Sequence, residues 1–156
     1  MKRICILAAI LAGLLGNAAH AEDASVANRL NESGMSYEVD DDGDFKLIYS
    51  YSKEGRTQIV FVASKTETVN SLTIREVFAP ALDISEHGLT GETAIELLND
   101  SSTIKLGSWE IRSDVLYLVA KVREPLNADD LVSVMDAVAE SADDMEIKLT
   151  GGGDDL

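Results

Sequence analysis

The segment 37–51 constrains the fold most strongly, because two extended runs flank an acidic turn. The runs are Tyr37-Glu38-Val39 and 45–51 (FKLIYSY), and the turn between them is Asp40-Asp41-Asp42-Gly43-Asp44. An Asp-Gly pair between extended runs is a strong hairpin signal, since glycine accepts the positive φ of a tight turn. A connection this short requires antiparallel pairing, so we expect an antiparallel sheet.

The other elements are predicted from the spacing of apolar residues and from turn residues. They are a helix at 23–35, strands at 57–64 and 72–78, a helix at 91–99 capped by Thr90, strands near 103–112 and 114–123, and a final helix capped by Asn127. The final helix has the clearest apolar stripe, formed by Leu131, Val134, Met135, Val138, Ala139 and Ala142. We expect it to end at Asp143-Asp144, with a further turn or strand at 145–149.

These elements predict an α+β domain over 22–150, in which an antiparallel sheet of about five to six strands packs against an N-terminal and a C-terminal helix. Pro80 and Pro125 are expected at element boundaries. The glycine-rich acidic segment 151–156 is predicted to be a flexible tail. The last helix is expected to cover one face of the sheet, while the other face keeps aromatic residues and is open to a second subunit.

The first 21 residues match a secretory signal peptide. Met1-Lys2-Arg3 is positively charged, 4–16 is an apolar run of 13 residues, and Ala19-His20-Ala21 is a small-residue cleavage motif before Glu22. We therefore expect cleavage between Ala21 and Glu22, localisation in a bacterial periplasm, and no membrane association afterwards. An uncleaved anchor and a buried core helix are the alternatives, but a helix that spans a bilayer needs roughly 20 apolar residues.

Composition excludes several classes of function. Removal of 1–21 takes away the only cysteine, Cys5, and leaves His87 as the single histidine. It also lowers the formal net charge from −15 to −17, because Lys2 and Arg3 are removed and no acidic residue is removed with them. Without cysteine there is no disulfide, thiol catalyst or thiolate metal site, and one histidine cannot form a histidine-based zinc cluster. The charge argues against nucleic acid and favours basic proteins or peptides, cations and neutral ligands.

Three parts of the chain resemble the YbjN-like family, also called bacterial sensory transduction regulators. They are 34–45 (GMSYEVDDDGDF), Leu97-Leu98-Asn99 before 104–109 (IKLGSW), and 126–131 (LNADDL) with 139–143. The resemblance implies a type III secretion chaperone-like fold and a non-enzymatic, often dimeric module that holds segments of partner proteins. No catalytic residue is carried over. Type III secretion chaperones are cytosolic, so the predicted export argues against a literal secretion-chaperone role.

Two motifs suggest chemistry, and each has a simpler interpretation. The aspartates of 40–44 resemble a calcium loop, but an EF-hand with Gly43 at its sixth position needs aspartate and glutamate where Glu38 and Tyr49 stand. A solvated hairpin turn is therefore preferred over a weak cation site. Ser85-Glu86-His87 lacks the glycine-flanked elbow and the separately placed base of a serine hydrolase, so a surface loop histidine is preferred over catalysis.

We therefore predict a non-enzymatic protein that has no catalytic, cofactor or metal site and whose partner is a protein or peptide. Tyr51 and Trp109 are the candidate partner-binding residues, because Tyr and Trp are favoured as interface anchors; placement in the core is the alternative. Two other functions remain open. One is an envelope enzyme or weak cation-binding protein that uses surface carboxylates, and the other is a homodimer joined through 103–112 and 114–123.

Overall fold

The computed structural model describes residues 23–156, so the predicted signal peptide and the cleavage site at Ala21 and Glu22 lie outside the described residues. The described chain is α+β. Its elements are α1 (Ala24–Glu32), β1 (Glu38–Val39), β2 (Phe45–Tyr51), β3 (Arg56–Val69), β4 (Leu72–Asp83), α2 (Ile84–His87), α3 (Gly91–Ser101), β5 (Ser108–Arg112), β6 (Val115–Arg123) and α4 (Ala128–Thr150). No helix in this range is long and apolar enough to cross a membrane.

The six strands form one antiparallel sheet in the order β1-β2-β3-β4-β6-β5. The predicted hairpin is confirmed: Val39 pairs with Phe45 across the acidic turn, and Gly43 in that turn has a φ of 87°. Chain order is broken only on one side of the sheet, where β6 pairs with β4 and β5 folds back along the outer side of β6. Strand β5 is therefore an edge strand.

The core lies between one face of the sheet and the helices α1 and α4. The predicted cap is confirmed, since Asn127 Oδ1 accepts a hydrogen bond from Asp130 N at 2.7 Å. All six residues of the predicted α4 stripe are buried. Because side chains alternate along a strand, alternate residues of β2, β3, β4 and β6 contribute to this core, including Phe45, Leu47, Val60, Val62, Val77, Ala79, Leu118 and Ala120.

Pro80 lies inside a strand, so its predicted position at an element boundary is wrong. Strand β4 runs through it, and the pairing with β6 shifts register between Pro80 and Leu82. Proline has no backbone N–H to donate to a neighbouring strand, and a local irregularity of this kind accommodates it. A second register shift lies between Val62 and Thr66, and β3 continues beyond it to Val69. Both β3 and β4 are therefore longer than predicted.

The strand predicted at 103–112 begins later, at Ser108. The residues before it extend the end of α3 as hydrogen-bonded turns, in which Ser102 N donates to Asn99 O and Thr103 N donates to Asp100 O. Because of these bonds, the backbone of this segment continues the end of α3 and does not join the sheet.

Helix α4 continues without a break to Thr150, so the predicted helix end at Asp143-Asp144 and the predicted turn or strand at 145–149 are wrong. The helix continues because the Arg56 side chain, on the facing strand β3, pairs with carboxylates of α4. Arg56 Nε donates to Asp143 at 2.9 Å and Arg56 Nη2 donates to Glu146 at 2.8 Å. Pairing with arginine allows both carboxylates to lie on the buried side of the helix.

The segment 151–156 lies against the start of β3. Arg56 Nη1 donates to the carbonyl oxygens of Gly152, at 3.4 Å, and of Gly153. The backbone N–H of Asp155 donates to Glu146 Oε1 at 2.9 Å. These contacts locate the tail, while its predicted flexibility concerns motion and stays a prediction.

Candidate binding surfaces

Most large apolar side chains that are exposed in residues 23–156 fall into two patches. We name the first the α3–β5 patch; it consists of Ile95, Leu98 and Ile111 with the groove beside them. We name the second the open face, which is the side of the sheet not covered by α1 and α4, and there the exposed apolar residues are Ile48, Val69 and Leu72. Exposed apolar surface marks candidate interaction sites where it is contiguous; on the open face Ile48 pairs with Ile59, whereas Val69 and Leu72 pair with each other at the other end of β3.

The α3–β5 patch is a groove between a helix and an edge strand. Its cavity, of about 230 Å³, is lined by Ala94, Leu97, Leu98, Trp109, Ile111 and Leu116. Leu98 is 70% exposed and Ile111 is 53% exposed. Strand β5 pairs with β6 on one side and has no strand on its other side within the described sheet. The N–H of Trp109 in this strand already donates to Ser101 Oγ at 3.0 Å, so another strand can pair only with the other outward backbone groups of β5.

Trp109, predicted as a partner-binding residue, lies on the floor of this groove and is 8% exposed. Its indole Nε1 donates to Asp100 Oδ2 at 2.7 Å, and its backbone N donates to Ser101 Oγ at 3.0 Å. Both acceptors are at the end of α3, so Trp109 holds the helix against the edge strand. The groove wall exposes Leu98 instead, a residue that was not among the predicted partner-binding residues.

Tyr51, the other predicted partner-binding residue, lies half-buried at the end of β2 and far along the sheet from the groove. Burial, together with the nearby carboxylates of Asp143, Glu140 and Asp144, raises the pKa of its hydroxyl to about 12. The structure therefore does not bring Tyr51 and Trp109 together in one site.

The open face carries a row of apolar side chains across four strands, which we name the apolar band: Ile48, Ile59, Phe61, Phe78 and Tyr117. Phe61 and Phe78 stack with their ring centroids 5.1 Å apart, and Phe78 meets Tyr117 edge to face at 5.8 Å. The expectation that the second face keeps aromatic residues is confirmed. Strand alternation could have located them, because the inward-facing neighbours Val60 and Val62 force Ile59 and Phe61 outward.

A network of ion pairs borders the apolar band. Arg112 lies 2.8 Å from Glu110 and 2.9 Å from Glu76, and Lys121 lies 2.5 Å from Glu110. Burial raises the pKa of the Glu110 carboxyl, but hydrogen bonds from Lys121 and Arg112 outweigh it, and the net pKa is below the ordinary value. The guanidinium of Arg112 also lies 5.5 Å above the ring of Phe78.

A buried ion cluster joins α1, β4 and the connection from β6 to α4. The Arg75 side chain is 2% exposed; it contacts Glu124, and its Nη2 lies 2.5 Å from Asp23 Oδ2. Arg29 holds the same glutamate at 3.0 Å. These charges are paired with one another inside the molecule, so we assign them to stability and not to a binding site.

The two motifs that suggested chemistry have local partners. Asp40 Oδ1 accepts from the N–H groups of Asp42, at 3.0 Å, and Asp44, at 2.9 Å, as in an acid-capped turn. Ser85 Oγ donates to Asp83 at 2.6 Å, whereas His87 Nε2 lies 3.3 Å from Asp155 Oδ2.

Across residues 23–156, no group of three or more His, Cys, Asp or Glu side chains is arranged to hold a metal ion. A comparison with protein-family models finds no family that matches the chain. A comparison with curated proteins finds no matching protein.

Proposed function

We propose that this chain is an exported, non-enzymatic binding module of the YbjN-like type, which acts in the periplasm and engages a segment of another protein at the α3–β5 patch. The observation that carries the proposal is the exposed, mainly apolar groove that adjoins β5, the last strand at this edge of the described sheet. Leu98 and Ile111 flank the groove, and both are more than half exposed.

The proposed mode of binding is the addition of an extended segment to β5. Backbone hydrogen bonds to the strand edge supply affinity without regard to sequence. Alternate side chains of the segment then enter the groove, where Leu97, Trp109 and Leu116 already form a buried floor. An apolar side chain every second residue is therefore the requirement on the partner.

Two features support the absence of enzymatic activity in this proposal. Ser85 and His87 have different partners, Asp83 and Asp155, so neither activates the other in this arrangement. The aspartates of the acidic turn accept hydrogen bonds from their own backbone, which favours a turn over a cation site. The α+β arrangement with terminal helices is also what the YbjN-like resemblance implies, which supports a chaperone-like role.

The test uses the chain from Glu22 as bait in a periplasmic extract, with a photo-crosslinking residue at position 111. The matched bait carries the crosslinker at position 133, on the outer side of α4. We expect one partner to crosslink from 111 and not from 133, and Leu98→Glu to abolish its capture. Ser133→Glu adds the same charge away from the groove and is expected to leave capture unchanged.

Two outcomes would overturn the proposal. The first is a folded bait that crosslinks nothing from position 111. The second is crosslinking only between two copies of the bait, with light scattering that gives the mass of a dimer; that result would establish the homodimer joined through β5 in place of a separate partner.

A further inference from the structure

The predicted cleavage site lies next to a residue that the folded domain holds in place. The predicted cut is between Ala21 and Glu22, and Asp23 follows directly. The backbone N–H of Asp23 donates to Ser64 Oγ at 2.8 Å, across 41 positions of the chain. Its carboxylate Oδ2 lies 2.5 Å from Arg75 Nη2. Position 23 is therefore fixed to β3 and β4 by tertiary contacts.

Asp23 is also the N-cap of α1. Its Oδ1 accepts from the N–H of Ser25 at 2.8 Å, and its carbonyl oxygen accepts from the N–H of Val26 at 2.9 Å. Val26 is buried in the core. Every polar atom of Asp23 therefore has a partner, and moving this residue breaks the cap of α1 together with the contacts to the sheet.

The spacing between the predicted cut and Asp23 leaves no room for an enzyme. A peptidase acts on a segment that lies in its active-site cleft, and folded chains are cut through states in which that segment has opened. One residue separates the cut from Asp23, and one residue spans at most about 3.6 Å. A single helix with its side chains is about 10 Å across, so no wall of a cleft fits into that gap. Asp23 has to leave Ser64 and Arg75 before the bond enters an active site.

We infer that the folded domain protects the bond between Ala21 and Glu22, so that removal of the leader has to precede folding around Asp23. The order of the two events is then fixed: cleavage first, and docking of Asp23 on Ser64 and Arg75 second. A chain that folds first keeps its leader. The inference rests on the predicted export, which is part of the proposed function, and it does not depend on binding at the α3–β5 patch.

The covalent step is a hydrolysis. Water adds to the carbonyl carbon of Ala21, and the C–N bond to Glu22 breaks. Ala21 keeps the new carboxylate, and the nitrogen of Glu22 takes up a proton as the new α-amino group. The peptidase supplies the catalytic groups, and this chain supplies the accessibility of the bond.

The test compares two substrates of a purified bacterial signal peptidase in detergent. One is the full chain from Met1, with its fold verified by circular dichroism in the same detergent. The other is a synthetic peptide of residues 10–29, which has the same cleavage sequence and lacks Ser64 and Arg75. Mass spectrometry identifies the cut and follows its rate. We expect the peptide to be cut about a hundredfold faster, because the opened state of the folded chain is rare while several hydrogen bonds hold Asp23.

A spacer tests whether proximity to the fold is the cause. Eight Gly and Ser residues inserted between Glu22 and Asp23 move the bond up to about 26 Å from the domain. We expect the folded spacer variant to be cut at a rate within about threefold of the peptide, since a Gly/Ser segment of this kind is flexible. The matched control carries the same eight residues after Leu156 and is expected to stay as resistant as the unmodified chain.

A second pair of variants leaves the cleavage sequence unchanged. Ser64→Ala removes the acceptor of the Asp23 N–H, and we expect cleavage of the folded chain to become about fivefold faster, the factor that one net hydrogen bond contributes. Ser50→Ala removes a hydroxyl from an exposed position of β2 and is expected to leave the rate unchanged. Circular dichroism verifies that both variants are folded.

The possible failures are distinguishable. The inference is overturned if the folded chain is cut as fast as the peptide, or if the spacer variant stays resistant while the peptide is cut. A peptide that is not cut after Ala21 overturns both the inference and the predicted export. Binding at the α3–β5 patch is tested separately, by the crosslink from position 111 of the chain that begins at Glu22.

Discussion

Replacing Arg75 with methionine tests whether the buried ion cluster stabilises the fold. The guanidinium contacts the carboxylates of Glu124 and Asp23, and it also donates to the carbonyl oxygens of Ala63 and of Ser64, the latter at 2.9 Å. Methionine fills a similar volume but donates no hydrogen bond. The variant therefore leaves two carbonyl groups and one buried carboxylate with fewer partners.

The size of the expected loss in the free energy of unfolding depends on the partners that Glu124 keeps. Removing one partner of a buried pair costs about 3–5 kcal/mol. Arg29 still lies 3.0 Å from Glu124, and the N–H of Leu126 still donates to it at 2.9 Å, so the carboxylate is not left alone. We expect Arg75→Met to lower the free energy of unfolding by about 3 kcal/mol, at the lower end of that range.

The pH dependence gives a second, independent expectation. Burial raises the pKa of Glu124, but hydrogen bonds from Arg29, Arg75 and the N–H of Leu126 outweigh it, and the net pKa lies below the ordinary value of 4.5. A lowered folded-state pKa adds stability that is present above the unfolded pKa and is lost as the pH falls through the folded pKa. Without Arg75 part of this stability is already absent. The difference between the two proteins should therefore shrink from about pH 7 to about pH 3.

Urea denaturation followed by far-UV circular dichroism measures both effects. Arg123→Met is the control, because Arg123 is exposed on the adjacent strand, and we expect it to change the free energy of unfolding by less than about 0.5 kcal/mol. A loss at Arg75 no larger than at Arg123 would refute the assignment of this cluster to stability, and a difference that is constant over the whole pH range would refute the expected contribution of Glu124 ionisation.

Two further predictions concern local geometry. Asn127→Ala removes the cap that accepts from Asp130 N at 2.7 Å, and it should lower the free energy of unfolding by about 1 kcal/mol in the same urea assay; an unchanged midpoint would contradict a capping role. Gly107→Ala should cost about 1–3 kcal/mol, because Gly107 has a φ of +105° and an added Cβ would lie 2.7 Å from Val119 O. Gly91→Ala, where nothing lies within 4 Å, should be neutral or slightly stabilising, and thermal unfolding of the two variants side by side measures the contrast.

Local patterns in the sequence were sufficient for several elements. The boundaries of β2 at 45–51, the cap at Asn127 and the buried stripe of α4 are all confirmed. Each depends on residues within one or two turns of one another: glycine at a positive φ, a side chain that accepts from a nearby N–H, and apolar residues at helical spacing. The α+β class followed from the order of these elements.

Elements whose limits depend on distant residues were not predictable in this way. Asp143 and Glu146 are buried because Arg56, nearly ninety residues earlier, pairs with both, and no pattern within α4 indicates this. Pro80 remains in β4 because the register irregularity with β6 accommodates a residue without a donor. Local propensity alone would end α4 near Asp143 and β4 near Pro80.

Some features of the candidate surfaces were also determined by the sequence alone, whereas others depended on the tertiary structure. Sequence alternation alone determines that Phe61 points away from the side of Val60 and Val62, and composition alone determines that the chain is strongly acidic. Only the tertiary structure decided that α3 folds over Trp109 and leaves Leu98 exposed, and that carboxylates are exposed along the outer surface of α4. The physical reason is that exposure and local charge depend on which elements pack together, and that packing joins residues far apart in the chain.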